Sequence, residues 1–220
     1  MSLFQGISGI LYKEFKGEIR STYIISSIII FSIVSVVISY MALGSLLSDA
    51  RIISAVYWLI LFFIAMTTLP RSFISDEEAG VSILLRLNSD SLAIYFGKLI
   101  YNIINNFLSA LVTAVALFLI SDSALADPLV FIINSVLVCI CFAAGSTILS
   151  AIIAKSSQKS SLLPILGFPI LIPIIYLGID ISAQAIAGAE ANAFDLLFLL
   201  LYPLVLISLS VILFDFIWYE

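Results

Sequence analysis

Six stretches of this chain contain no Asp, Glu, Lys or Arg, and each is long enough to cross a lipid bilayer. They cover residues 21–48, 52–70, 99–121, 128–154, 160–179 and 196–214. A helix needs about 20 apolar residues to cross a hydrocarbon core about 30 Å thick. Backbone polar groups in lipid are satisfied only within helices or closed barrels, and barrel strands alternate polar and apolar residues instead of forming long apolar runs. The sequence therefore predicts an all-α membrane protein with six transmembrane helices.

The composition excludes an ordinary soluble domain. Of the 220 residues, 63% are apolar and 10% are charged, whereas roughly a quarter of the residues in soluble domains are charged. One core cannot hide so much apolar surface, so lipid must solvate the rest. The nine basic residues form no stripe that would favour nucleic acid as a partner. Histidine is absent, so we expect no metal, no directly bound cofactor and no catalytic site.

Basic residues predict the orientation, because cytoplasmic loops carry an excess of Lys and Arg. We expect one transmembrane domain over residues 1–220, with an amphipathic helix over 3–20 and spans at about 22–47, 52–72, 98–120, 129–153, 160–180 and 195–217. Every basic residue except Arg51 lies before the first span or in the second and fourth connections: Lys13, Lys16, Arg20, Arg71, Arg86, Lys98, Lys155 and Lys159. This distribution predicts a multi-pass protein with both termini in the cytoplasm and three short external loops.

Two segments that are predicted to be cytoplasmic tell most about the function of the chain. In the N-terminal segment, apolar residues recur at spacings of three and four, which predicts an amphipathic helix lying in the headgroup layer. They are Leu3, Phe4, Ile7, Leu11, Phe15 and Ile19. The alternative is a charged N-terminal tail.

The connection over residues 71–98 is the second segment, and it is too long for a simple turn between two spans. It combines the densest charge of the chain with apolar residues, which favours a docking surface for a soluble partner. A solvated charged loop with an interfacial helix is the alternative.

Polar residues inside the predicted spans are expected to hold helices together or to contact a substrate. The amides are Asn102, Asn105, Asn106 and Asn134, and two stripes of small residues on the fourth span are Ala143, Thr147 and Ala151, and Ser146, Ser150 and Ala154. The pattern does not say whether these stripes face the same subunit or a second copy. Cys139 and Cys141 point about 200° apart on a helix, which favours packing over a disulfide or a shared metal.

Three prolines in the fifth span, Pro164, Pro169 and Pro173, are expected to bend it. The bend could form a gate near the external exit or simply kink a packing helix. The larger polar aromatic residues are expected to form an interfacial belt. They are Tyr23, Tyr40, Tyr57, Trp58, Tyr101, Tyr176, Tyr202, Trp218 and Tyr219.

The second connection carries a recognisable pattern. Phe73-x-x-Asp76-x-x-x-Gly80, followed by Leu84-Leu85 and by Gly97-Lys98, resembles the segment after the second helix of ABC-2-type permeases. Within that superfamily the chain is most similar to the haem exporter protein B (CcmB) family of cytochrome c maturation. The length, the basic amphipathic start and the proline-bearing stretch 162–173 agree with this resemblance.

The resemblance implies a membrane-spanning permease subunit driven by a cytoplasmic ABC ATPase (CcmA-like), since the chain has no P-loop of its own. It further implies a homodimer in the bacterial inner membrane, working with CcmC-like and CcmD-like membrane proteins and the haem chaperone CcmE. ATP would act through the partner, and haem could be the cargo. The residues expected to couple to the ATPase are Phe73, Asp76, Glu77, Glu78, Gly80, Leu84 and Leu85.

Two other functions remain open at this point. An ABC-2 permease for a lipid, polysaccharide or drug would have the same fold and the same kind of ATPase. A non-transporting membrane scaffold would anchor soluble proteins without affecting a partner's ATPase rate. An intramembrane enzyme is disfavoured, because every acidic residue lies at a span end or in a loop.

Overall fold

The structure, a computed structural model, describes residues 3–21, 23–68, 71–121, 123–154 and 159–219. Within these ranges the chain is helical, as predicted. The elements are α1 (Leu3–Ser21), α2 (Tyr23–Leu43), a 3-10 turn (Gly44–Ser48), α3 (Ala50–Thr68), α4 (Arg71–Glu78), α5 (Val81–Asn88), α6 (Ser91–Ile120), α7 (Pro128–Ala154), α8 (Lys159–Ala187) and α9 (Ala193–Tyr219). Six of them, α2, α3, α6, α7, α8 and α9, are long and apolar enough to cross a membrane, which confirms the predicted number of spans.

Acidic and amide side chains begin three of the spans. Asp49 accepts hydrogen bonds from the backbone N–H groups of Arg51 and Ile52 at 2.9 and 3.1 Å, which caps α3. Asp127 caps α7 in the same way, and Pro128 follows at the first helical position, where its missing N–H is not needed. Asn192 accepts a hydrogen bond from the N–H of Phe194 at the start of α9. These caps fix where the spans leave their connections.

The caps lie at one end of the bundle, where the short connections meet. The Ser123 hydroxyl donates to the carbonyl of Ser48 at 2.9 Å, and the Asp127 N–H donates to the carbonyl of Ala185 at 2.9 Å. Because the spans run up and down, α1, α4 and α5 lie at the opposite end, which we call the α4–α5 end. The predicted separation of short loops from charged segments is therefore present in the fold.

The helix α7 is the centre of the bundle, and 78% of its apolar window is buried inside the chain. It packs against α3, α4, α6, α8 and α9. Both small-residue stripes are buried there: Ala143, Ser146, Thr147, Ser150, Ala151 and Ala154. The stripes therefore serve packing within one subunit, which settles the alternative that the sequence left open.

Two span ends differ from the predicted ones. The helix α6 begins at Ser91, where a span was expected from about residue 98, and α8 continues to Ala187 instead of ending near 180. Lys98 therefore lies inside a helix and not in a loop. Its charge is tolerated there because carboxylates surround it, as described below.

The prolines of the fifth span leave α8 a continuous helix from Lys159 to Ala187. Pro169 and Pro173 are exposed on its outer face, whereas the side chain of Pro164 lies outside the described residues. Beside them, the Tyr202 hydroxyl of α9 donates to the Ile170 carbonyl at 2.8 Å. The carbonyls that lose a helical donor to Pro169 and Pro173 are those of Ile165 and Pro169, so the Tyr202 bond is an additional link between α9 and α8. Whether α8 acts as a gate remains a prediction.

A fourth intramembrane proline, Pro203, lies inside α9 and is buried. Proline has no N–H, so the carbonyl four residues earlier, that of Leu199, loses its helical donor. The Cys141 thiol lies 3.9 Å from that carbonyl, while Cys139 faces the carbonyl of Asn106 on α6 at 3.6 Å. The two cysteines are free and buried against different helices, which confirms that they pack and do not pair.

Candidate functional site

Four charged side chains meet at the α4–α5 end and join three helices. Lys98 of α6 lies 2.7 Å from Asp76 of α4 and 2.8 Å from Glu14 of α1. Lys13 of α1 lies 2.5 Å from Asp76 and 3.0 Å from Glu14. We call Lys13, Glu14, Asp76 and Lys98 the charge cluster. It ties α1 and α4 to one span, α6.

The charge cluster is largely shielded from solvent. The Lys98 side chain is 0% exposed, and those of Asp76 and Glu14 are 9% and 10% exposed. Two ammonium groups balance two carboxylates, as burial of charge requires. Burial is the strongest single influence on Lys13 and lowers its pKa, but Glu14 and Asp76 together outweigh it, so the pKa of Lys13 lies above the ordinary 10.5. The protonated form of Lys13 is therefore favoured.

Close backbone packing brings α1 onto α6. Gly97 faces Ile10, and a Cβ placed on Gly97 would lie 2.7 Å from the Cβ of Ile10. Gly6 meets Ala93 in the same way, at 2.7 Å. Of the apolar residues predicted to face the headgroups, Ile7 and Leu11 are half-buried. The other four are exposed: Leu3, Phe4, Phe15 and Ile19.

An aromatic cluster anchors the α4–α5 hairpin from its other side. Phe73 of α4 is buried, with its ring centre 5.8 Å from that of Phe214 and 6.1 Å from that of Trp218 on α9. The Arg86 guanidinium of α5 lies 5.4 Å from the centre of the Trp218 ring, at cation–π distance. Phe73 also touches the charge cluster, because the Lys98 ammonium lies 4.5 Å from its ring centre. The two clusters are therefore contiguous.

The turn between α4 and α5 depends on Gly80. Its backbone has φ +66° and ψ 11°, a left-handed conformation that glycine adopts without cost. Space is not the constraint, since a Cβ on Gly80 would meet nothing within 4 Å. The turn directs α5 so that Ile83, Leu84 and Leu87 are 62%, 59% and 77% exposed. We call these three residues the α5 ridge.

The predicted coupling residues share the α4–α5 hairpin but not one surface. Phe73 and Asp76 face inward, Glu77 and Leu85 are half-buried, and Glu78, Gly80 and Leu84 are exposed. Leu85 packs against the core that contains Phe73, whereas Ile83 and Leu87, which the sequence reasoning did not select, join Leu84 outside. Helical spacing within residues 81–88 could have separated the two faces.

The predicted intramembrane amides are all buried at helix contacts. Asn102 donates to the Thr147 hydroxyl at 2.8 Å, and Asn106 lies 3.5 Å from the Cys139 carbonyl, so both link α6 to α7. Asn105 is buried on the same face of α6. Asn134 donates to the Gly178 carbonyl at 2.9 Å and to the Ser182 hydroxyl at 2.8 Å, which links α7 to α8.

The interfacial belt was a wrong prediction for four of its residues. These four are buried inside the bundle: Tyr57, Trp58, Tyr101 and Trp218. The Trp58 indole donates to the Ser182 hydroxyl at 2.9 Å, and the Tyr57 hydroxyl donates to the Ser135 hydroxyl at 3.2 Å. Buried serines provide the partners that let polar aromatic side chains enter the bundle, and their position could not be read from composition.

No cluster of three or more metal-ligating His, Cys, Asp or Glu side chains occurs in the described part of the chain. The arrangement at the α4–α5 end has a different chemistry. It is a neutral, paired set of charges beside an exposed apolar ridge, an arrangement suited to joining helices and to contact with another protein.

The sequence of the chain was compared with models of known protein families. The sequence model of the CcmB protein family matches residues 5–217. The chain belongs to the CcmB family. Members of the CcmB family are haem-exporter permeases of cytochrome c biogenesis, and the match spans every helix from α1 to α9. A comparison with curated proteins finds no match.

Proposed function

We propose that this chain is the membrane-spanning subunit of an ABC transporter that acts in haem delivery for cytochrome c maturation. It lies in the bacterial inner membrane with both termini in the cytoplasm. A partner ATPase hydrolyses ATP, and the chain converts the movement of that ATPase into haem export or into release of the haem-loaded chaperone. Membership of the CcmB family and the predicted excess of basic residues at the α4–α5 end support this proposal.

The observation that carries the proposal is the exposed α5 ridge. Its three large apolar side chains lie at the end of the bundle that holds the charged segments, on a short helix anchored by Arg86 and Leu85. An anchored apolar ridge among charges is suited to a groove on a soluble protein. The printed sequence contains no P-loop, so the ATPase is the partner that the family role requires. Glu77 and Glu78 would orient it.

The composition of the chain supports a mechanical role over a haem-carrying one. Histidine, the commonest ligand of haem iron, is absent. Cys139 and Cys141 are buried beside backbone carbonyls. Haem is therefore the cargo of the complex and is handled together with CcmC-like and CcmD-like proteins and the chaperone CcmE. A second copy of the chain completes the transporter.

The test is co-purification from detergent-solubilised membranes. A Leu84→Asp, Leu87→Asp variant places two carboxylates on the α5 ridge and should lose a P-loop ATPase that co-purifies with the wild type. Phe194→Asp is the matched control, because Phe194 is 80% exposed at the opposite end of the bundle. Leu85→Asp is the second control and should reduce the yield of folded chain itself, since Leu85 packs inward.

The outcomes separate the competing functions. An ATPase retained by Phe194→Asp and lost by the ridge variant supports the permease, and co-purified cytochrome-maturation proteins identify the pathway. If well-folded wild type brings down no ATPase, the proposal fails and the membrane scaffold becomes the better hypothesis. An ATPase that appears without cytochrome-maturation proteins favours a permease for another cargo.

A further inference from the structure

We infer that the charge cluster is a positioning device that makes the α4–α5 hairpin, α1 and α6 move as one body. The inference rests on the proposed function and deepens it, because it names the span that receives the movement of the ATPase. The ion pairs connect the hairpin to the third span, α6.

The contacts define a direct path. Asp76 lies on the helix that precedes the α5 ridge, and it binds Lys98 of α6 without an intervening residue. Lys98 is one helical turn from Asn102, which donates to Thr147 of the central helix α7. Lys98 also binds Glu14, so α1 is joined to the same point. A displacement of α4 therefore reaches α6, α7 and α1 through buried polar contacts.

Ion pairs suit this task better than apolar packing would. Dispersion attraction between two atoms loses about half of its strength over a gap of about 1 Å, whereas Coulomb attraction falls only as the inverse of distance and is strengthened by burial. The charge cluster thus resists separation of the helices as well as compression. It also has a defined geometry, because each carboxylate is shared by two lysines.

Variants that keep the charge balance separate positioning from folding. Lys98→Met leaves two buried carboxylates with one ammonium, and removing one partner of a buried pair is strongly destabilising. Adding Asp76→Asn leaves Lys13 with Glu14 and restores neutrality, but α4 loses its ion pair to α6. Lys13→Met with Asp76→Asn is a second balanced variant, which keeps Lys98 with Glu14 and also removes the ion pairs of α4. Glu190→Gln is the control, because Glu190 is an exposed carboxylate in the connection between α8 and α9, at the opposite end of the bundle.

Each variant is produced in cells that depend on this chain for c-type cytochromes. Three quantities are measured: the yield of folded chain, the ATPase that co-purifies and its rate of ATP hydrolysis, and the c-type cytochrome detected by haem staining. We expect Lys98→Met to give little folded chain. Both balanced variants should recover wild-type yield and retain the ATPase, yet make about tenfold less c-type cytochrome per ATP hydrolysed. Glu190→Gln should behave as the wild type.

The inference is overturned if either balanced variant folds, binds the ATPase and makes cytochrome at the wild-type ratio. It is also overturned if neither balanced variant folds, because the charge cluster would then be a folding element only. Absence of an ATPase from the wild-type preparation is a different result, since it removes the proposed function itself.

Discussion

Gly97→Ala tests whether α1 is held on α6 by close backbone contact. The added methyl group would lie 2.7 Å from both the Cβ and the Cγ2 of Ile10, whereas carbon atoms pack best at about 3.5–4.0 Å. These atoms are close to the α1 backbone and are not the end of a long side chain, so the helix itself must move by roughly 1 Å. The charge cluster, which needs α1 in place, should loosen as well.

The change in stability expected for Gly97→Ala follows from two opposing effects. Overpacking a close contact costs about 1–3 kcal/mol, while replacing a helical glycine by alanine gains about 1 kcal/mol. The net loss is therefore about 0–2 kcal/mol. Gly9→Ala is the matched control, because it is on the same helix pair and its Cβ would meet nothing within 4 Å. Gly9→Ala has the gain in helix propensity without a steric clash, so the stabilities of the two variants should differ by about 1–3 kcal/mol.

The assay is thermal unfolding of the purified chain in detergent, with limited trypsin cleavage as a local measurement. One kcal/mol corresponds to about 2–4 °C in a domain of this size, so Gly97→Ala should melt roughly 2–12 °C below Gly9→Ala. Cleavage at Lys13 and Lys16 should also be faster in Gly97→Ala. Equal melting temperatures and equal cleavage would show that α1 does not pack on α6 through Gly97, and the argument from close contact would be refuted.

Three further predictions concern single side chains. Ser182→Ala should destabilise the chain by about 2 kcal/mol in thermal unfolding, because the Trp58 indole loses its buried acceptor and Asn134 loses one of two; a melting temperature equal to that of wild type would contradict these bonds. The pKa of folded Lys13 is raised above 10.5, so its stabilising contribution is complete below pH 10.5 and disappears as the pH rises through the folded value. Melting curves should show a loss of stability there in wild type that is smaller in Lys13→Met, and parallel curves would disprove it. At Gly80, Val should impair ATPase-coupled function more than Asn, because Asn tolerates a positive φ and the β-branched Val does not; equal activities of purified complexes would exclude the conformational argument.

The number and type of the spans could be predicted from the sequence, because long charge-free runs have one physical solution in lipid. The start of α6 could not be predicted by that rule. Lys98 interrupts an apolar run and therefore marked a span end, yet its pairing with Asp76 and Glu14 lets it enter the helix. The available signal was positional, since Lys98, Asn102, Asn105 and Ser109 recur on one face of a helix.

The candidate site was only partly predictable for a similar reason. Charge and apolar character singled out the α4–α5 hairpin, but they do not tell an inward carboxylate from an outward one. Asp76 is buried beside two partners, Lys13 and Lys98, that are distant from it in the sequence. Such long-range pairing cannot be read from one sequence. The face of α5 that carries Leu84 could have been assigned from spacing, and the burial of Leu85 follows from the position of α9.

The central position of α7 has a consequence for how the protein is made. Although 78% of its apolar window is enclosed by protein in the finished fold, the helix is nearly free of polar groups larger than Ser, Thr and Asn. Because α7 has little contact with lipid in the mature bundle, lipid contact there does not explain why its sequence is so apolar. A span must first enter the bilayer as a separate helix, surrounded by hydrocarbon, before its neighbours assemble around it. The apolar character of α7 therefore serves its entry into the membrane, and its small side chains serve the later assembly. One sequence thus suits two successive environments, first lipid and then the protein interior.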